Sequence, residues 1–332
     1  MFDYILAPLD GSKLSQSVIP YSVQIAKALH VPIVLLHVIE SLPVYAQEGE
    51  QALDTAPERI GQEYREAIDS TLTSGRAEHI RYLDLIIGRE KAIAQRYLSL
   101  FAHPIEAQNV KVESVVEIGK PAQEILRFAG QRRNGLIALS THGRSGLVRL
   151  AMGSVADRLA HASSVPVLLI RPKEDEDEGR AIGSIVAPLD GSALSEGIMP
   201  AVQRLAMSLH IPVHLVRSVP ISSEIWAGGE THSYVPAYLT SEVQTKIHAD
   251  AVRYLERMKA TLEAEEIRAD LTVLVGPADS RIVDYASEAD DALIIMASHG
   301  RTGFNRWFLG SIAEKVIRSS GRPVLLIRPR EE

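Results

Sequence analysis

The chain has 332 residues, 46% of them hydrophobic and 23% charged, with 42 acidic against 35 basic side chains for a net charge of −7 and no cysteine. This is globular composition at a length that suits about two domains. It excludes disulfide frameworks, Cys-ligated zinc, iron–sulfur clusters and thiol nucleophiles. No basic stripe interleaved with aromatics supports a nucleic-acid or anionic-membrane surface, and no run approaches the roughly 20 apolar residues of a membrane span. The expectation is a cytoplasmic protein with no nucleic-acid or membrane partner.

In chain order, a short apolar run at Tyr4–Ala7 predicts a strand that ends in Pro-Leu-Asp-Gly-Ser. Val18, Ile19, Val23, Ile25, Ala26 and Leu29 follow at helical spacing, with Pro20 early enough to cost little or to kink the helix. Ile33–Ile39 reads as a second strand. Candidate helices cover Glu63–Leu72 and Glu90–Phe101, then a strand Val112–Ile118, a Gly-Lys-Pro turn, a helix Ala122–Ala129 and a strand Leu136–Leu139. A helix from near Ser154 and a last strand Val165–Ile170 close the unit.

The unit then repeats. APLDGS stands at 7–12 and 187–192, a spacing of 180; THGRSG at 141–146 answers SHGRTG at 298–303, GSVADRL at 153–159 answers GSIAEKV at 310–316, and PVLLIRP at 166–172 recurs at 323–329, a spacing of 157. The difference, 23 residues, predicts an insertion of that size within 40–108 of the first copy. The like charges of KEDEDEGR, 173–180, read as an acidic linker between domains at 1–172 and 181–330. The second copy predicts strands at Ile185–Ala187, Pro212–Val219, Ala269–Val275, Ala292–Met296 and Pro323–Ile327, with helices on Val202–Leu209, Ser280–Ala286 and from near Ser311.

Strands alternating with helices, and rich in Val, Ile and Leu, predict in each copy an open five-stranded parallel α/β sheet covered on both faces. Ligands of such sheets lie outside the carboxyl ends of the strands, where strand order reverses. Asp10 and Asp190 fall there; a carboxylate in that place can accept bonds from ribose hydroxyls, or equally can shape the Asp-Gly turn and cap the next helix. The loops Ser140-Thr-His-Gly143 and Ala297-Ser-His-Gly300 are each followed, after nine residues, by Gly153-Ser154 and Gly310-Ser311. Glycines admit a close backbone approach, and a Gly-Ser pair opening a helix offers N–H groups, a hydroxyl and a positive dipole end suited to phosphate. Arg144 and Arg301 can add charge to the same anion. The plainer account is turn glycines and an N-cap serine; the recurrence of the pattern favours phosphate.

On these motifs the chain resembles a tandem universal stress protein. The resemblance implies two Rossmann-like domains of the adenine nucleotide alpha hydrolase type, related by a pseudo-two-fold. It also implies ATP as ligand, with or without Mg2+, AMP and ADP being the alternatives. The family's ATP-binding members carry Gly-x-x-Gly, nine residues, then Gly with Ser or Thr. Gly143, Gly153 and Ser154, and Gly300, Gly310 and Ser311, fit; the first glycine is replaced by Ser140 and Ala297, whose Cβ narrows the space and penalises a positive φ. The implied nucleotide set is completed by Pro8, Asp10, Pro188 and Asp190, and by Val38 and Ser218, whose backbone would meet adenine. His142 and His299 read as turn residues, and no catalytic or metal-binding residue is assigned.

The last strands would be bare edges. In this family that strand resembles a dimer-forming edge, which implies that the two domains pair with each other; a homodimer of the tandem chain is a further option. The insertion could cover the first site, contact the second domain or mediate assembly, and Trp226 and Tyr234 could flank a pocket. The leading reading is a nucleotide-binding stress-response protein acting as a regulatory or interaction module. A slow ATPase lacks a P-loop and a second carboxylate for magnesium. A nucleotide-free module binding another small ligand or a protein partner is favoured by Ser140 and Ala297. A redox enzyme lacks the G-x-G-x-x-G fingerprint.

Overall fold

The computed structural model describes residues 2–40, 76–132, 134–141, 152–171, 181–220, 237–298 and 309–328, with side chains of the two longest helices described from residues 85 and 241 onward. The first half runs β1 (Tyr4–Pro8), α1 (Lys13–Gln16), α2 (Val18–Leu29), β2 (Ile33–Glu40), α3 (Arg76–Glu106), β3 (Val112–Gly119), α4 (Pro121–Gln131), β4 (Gly135–Ser140), α5 (Ser154–Ala162) and β5 (Val167–Ile170). The second half repeats it as β6 (Ser184–Pro188), α6 (Ala193–Glu196), α7 (Met199–Leu209), β7 (Val213–Val219), α8 (Ala237–Glu263), β8 (Ala269–Val275), α9 (Ala278–Ser287), β9 (Ala292–Ala297), α10 (Ser311–Ser319) and β10 (Val324–Ile327).

Alternation along the buried strands sorts the core into two layers. Ile5, Ala7, Ile33 and Leu35 face α2 and α3, meeting Ile25, Leu29, Leu98 and Ile105. Leu6, Val34, Leu36 and Ile137 face α4 and α5, meeting Ile125, Phe128 and Leu159. Pro20 and Pro200 lie in the first turns of α2 and α7, where a missing N–H breaks no bond. Both helices end on a histidine in the left-handed region, His30 at φ 56° and His210 at φ 57°.

The strands form one ten-stranded sheet in the order β3-β2-β1-β4-β5-β10-β9-β6-β7-β8. Pairing within each half is parallel, and the halves meet in the antiparallel pair β5–β10, with Leu168 opposite Leu325 at the centre. The order reads the same from both ends, which is the pseudo-two-fold. Both central leucines are fully buried, and burying a side chain of this size contributes about 1.5–3 kcal/mol. Beside the strands, α2 packs on α7, and the Gln24 carboxamide donates to the Ile182 carbonyl at 2.8 Å and accepts its N–H at 2.7 Å.

Expected boundaries shift in places. The last strand of the first half starts at Val167, not Val165, because the Ser163 hydroxyl takes up both backbone groups of Val165. The candidate helix Glu90–Phe101 is the inner part of the much longer α3. Glu63–Leu72, Trp226, Tyr234 and the linker 173–180 lie outside the described residues.

Candidate functional site

Strand order reverses between β1 and β4, and between β6 and β9, the place where a parallel α/β sheet offers a binding crevice at the carboxyl ends of its strands. Pro8 ends β1, and the next residue, Leu9, still donates its N–H to the Leu36 carbonyl at 2.8 Å. After it, Asp10 Oδ1 accepts the Ser12 N–H at 2.9 Å and the Ser12 hydroxyl at 2.6 Å. Ser12 Oγ in turn accepts the Ser15 N–H and caps α1. Pro188, Asp190, Ser192 and Ser195 repeat the arrangement with the same two distances at Asp190. Between aspartate and serine stand Gly11 at φ 89° and Gly191 at φ 84°, a conformation that needs glycine. The aspartates are therefore turn-forming residues, with one carboxylate oxygen committed to Ser12 or Ser192.

The other wall is built differently. Thr141, just past β4, donates its N–H to the Ile170 carbonyl at 2.8 Å and accepts the Gly153 N–H at 2.8 Å, which draws the start of α5 against the strand end. Ser298, Ile327 and Gly310 do the same for α10, at 2.9 and 2.8 Å. Gly153 and Gly310, the N-caps of α5 and α10, have no side chain with which to cap their own helices, in contrast to Ser12 and Ser192 at α1 and α6. The exposed Ser154 and Ser311 open these helices, so first-turn N–H groups and a hydroxyl are presented at the crevice with the positive end of each helix dipole.

One detail refines the sequence reading and one corrects it. Gly153 and Gly310 have φ of −63° and −62°, which any residue adopts; what glycine supplies there is lack of bulk. Ser140 and Ala297 are ordinary strand residues with no positive φ, each 8% exposed, so their Cβ atoms carry no backbone penalty and only fill space. His142, Gly143, Arg144, His299, Gly300 and Arg301 lie outside the described residues.

Val38 and Ser218 end up on strands β2 and β7 in register with Glu117 and Leu274. The Ser218 hydroxyl donates to the Gly276 carbonyl at 2.6 Å, which leaves its backbone as the group to offer. On the opposite sheet face the structure adds a pair that sequence reading passed over. The His37 ring has Nδ1 2.7 Å from the Leu9 carbonyl and lies edge-on to Tyr97, with 5.8 Å between centroids. Its counterpart at the 180-residue spacing is Arg217, whose guanidinium sits 4.8 Å over the Tyr254 ring and against Gly191. The Tyr97 and Tyr254 hydroxyls are buried, with Gln16 and Ser15 beside the first and Glu196 and Ser195 beside the second. Burial pushes both phenols up, and at Tyr254 burial together with the nearby Glu196 carboxylate takes the value to about 12. The 157-residue spacing, which matches Arg-Tyr-Leu at 96–98 with 253–255, was the signal available.

Among the described residues no group of three His, Asp or Glu side chains converges as a metal site, and no helix is long and apolar enough to cross a membrane. A family model for universal stress proteins matches residues 1–171 and again residues 182–328. The chain belongs to the universal stress protein family. A universal stress protein of Mycolicibacterium smegmatis is 22% identical over 98% of this chain and 97% of its own length. One from Methanocaldococcus jannaschii is 24% identical over 53% of this chain and 86% of its own length. The crystal structure of a universal stress protein from Archaeoglobus fulgidus covers 99% of this chain and 97% of its own, with a TM-score of 0.63 and 21% identity, and so shares the fold across both halves.

Proposed function

We propose that each universal stress protein domain binds an adenine nucleotide, ATP foremost, in the crevice at the carboxyl ends of its strands, and that occupancy sets a surface read by a partner in the stress response. The observation that carries this reading is the pair of Gly-Ser helix starts whose N-cap glycine has no capping side chain of its own, each drawn against a strand end by the Gly153–Thr141 or Gly310–Ser298 bond. Backbone N–H groups in that setting suit phosphate oxygens. Gly153-Ser154 and Gly310-Ser311 also match the closing part of the pattern carried by the family's ATP-binding members. The phosphates would lie on Ser154 and Ser311, ribose and adenine would lie toward Asp10, Val38, Asp190 and Ser218, and Gly143, Arg144, Gly300 and Arg301 are the further phosphate residues expected from the sequence. Ser140 and Ala297 would tighten the phosphate end. A magnesium ion would arrive with the phosphates, since the described residues provide no cage of their own.

A second reading has an observation in its favour. One oxygen of Asp10 and of Asp190 is already held by a serine N–H and hydroxyl, as a purely turn-forming residue requires. On that reading the chain is a nucleotide-free module for another small ligand or a protein. Denaturing release and mass identification of ligand from freshly purified protein separates the two. Nucleotide near two moles per chain is expected if both domains bind, and near one if only one site fills. None, with no ATP binding on titration, would give the second reading the lead.

A further inference from the structure

The strands that join the halves each end in an arginine that crosses to the other half. Arg171, directly after Ile170, donates through Nη1 to the carbonyl of Arg318 in the last turn of α10. Arg328, directly after Ile327, donates through Nη2 to the carbonyl of His161 in the last turn of α5, at 2.5 Å. The two crossings are equivalent, because Arg328 repeats Arg171 and Arg318 repeats His161 at the 157-residue spacing.

Each crossing lands on the helix whose other end carries the Gly-Ser start. A helix of nine residues is about 13 Å long, and its last carbonyls have no partner within the helix. A guanidinium placed there meets one of those carbonyls and complements the negative end of the dipole, while an anion at the first turn complements the positive end. It also sets how far the helix stands from the strand ends. The same strand end holds its own domain's loop, since the Ile170 carbonyl takes the Thr141 N–H and the Ile327 carbonyl takes the Ser298 N–H. The end of β5 thus holds the Thr141 wall of the first crevice and, one residue later, the far end of the helix that opens the second.

From this we infer that Arg171 is a positioning residue for the anion site of the second domain and Arg328 for that of the first, so that each site is completed by the opposite domain. The inference rests on the nucleotide reading above and adds to it a dependence of each site on the junction.

The test is titration of the full chain with MgATP by calorimetry, in two backgrounds that each leave one site: Gly153→Asp for the second domain alone and Gly310→Asp for the first alone. In the Gly153→Asp chain, Arg171→Met is expected to weaken ATP binding by about two- to tenfold, the range for a charge at a helix end, and Arg328→Met to leave it unchanged. In the Gly310→Asp chain the roles are expected to exchange. Lysine at either position keeps a cation near the carbonyl and is expected to restore most of the loss; if a methionine variant fails to fold, judged by circular dichroism, arginine and lysine chains are compared for the same crossed pattern. Equal losses at both sites from one substitution, or no loss anywhere, would overturn the inference alone. A parent chain that binds no ATP would overturn the nucleotide reading and the inference with it.

Discussion

Arg217 closes the space above Gly191: a Cβ built on this glycine would stand 3.0 Å from the guanidinium Nη1 and 3.2 Å from Cζ. Gly191 also has φ of 84°, in the left-handed region that disfavours side chains. The two effects separate in a double mutant. Gly191→Ala is expected to cost about 1–2 kcal/mol, and Arg217→Ala in the same chain to return only a small part, because a long side chain can move aside and a backbone angle cannot. Urea denaturation of the four proteins measures this, and full recovery in the double mutant would assign the cost to the side-chain contact instead.

The bonds from Ser12 to Asp10 Oδ1 ask only for an acceptor, whereas a bound ribose or a cation would feel the charge. Asp10→Asn is therefore expected to keep the melting temperature and weaken ATP binding. Asp10→Ala, which loses the turn as well, is expected to cost about 1 kcal/mol of stability besides. Thermal unfolding with and without ATP separates the roles, and an unchanged affinity in the asparagine variant would make the aspartate a turn residue only.

Gln24 is the one side chain on α2 that satisfies both backbone groups of the nearly buried Ile182 across the junction. Gln24→Ala leaves that donor and acceptor unpaired and is expected to destabilise the chain by about 1–2 kcal/mol. Amide exchange at Ile182 should accelerate by a matching factor in the same variant. Retained protection there would show that the junction is held by β5–β10 and by α2 against α7 without help from Gln24.

In the second half, Asp279 at the start of α9 meets Lys315 of α10 at 2.6 Å. The bond from Lys315 holds the Asp279 carboxyl below its ordinary value against the opposing effect of burial, and the Ser280 N–H and hydroxyl add to the lowering. A carboxylate depressed in the folded state stabilises it above the unfolded pKa of about 4, and the benefit is lost as pH falls through the folded value. The pair is open to solvent and screened, so its worth is about 0.2–1 kcal/mol. Lys315→Met should flatten the fall in stability below pH 4, as followed by chemical denaturation across pH 2–6. An unaltered profile would place the acid sensitivity elsewhere.

Ala297 and Ser140 occupy strand positions without backbone strain, so their effect on a ligand is one of room alone. Ala297→Gly is expected to raise ATP affinity at the second domain while lowering stability by about 1 kcal/mol, the cost of a glycine in a strand. Calorimetry in the Gly153→Asp background reads the first and denaturation the second.

Much of the architecture could be read from the residues in order. The Val, Ile and Leu runs, the Pro-Leu-Asp-Gly-Ser turns and the two repeat spacings point to two parallel five-stranded units, because burial on both faces leaves a continuous apolar signature in each strand. The start of α3 was less legible. Leu85 and Ile87 are 70% and 38% exposed, so the part of this helix ahead of Glu90 carries apolar residues that do not report a buried face. The crevice walls were legible as motifs, but the ordinary backbone at Ser140, Gly153 and Ala297 was not, since the same letters fit several turn geometries.

The sequence by itself determined the strand and helix order, the duplication and the residues at the carboxyl ends of the strands. Periodicity and turn chemistry act over a few residues, and a repeat doubles their weight. Tertiary structure alone decided that Gln24 meets Ile182, that Arg171 caps the end of α10 and Arg328 that of α5, and that Arg217 lies on Tyr254. The two arginine crossings span 147 and 167 positions, and the Gln24 clasp spans 158. Such contacts form only once β5 and β10 pair, and no local preference of the residues involved announces the direction in which their side chains then reach.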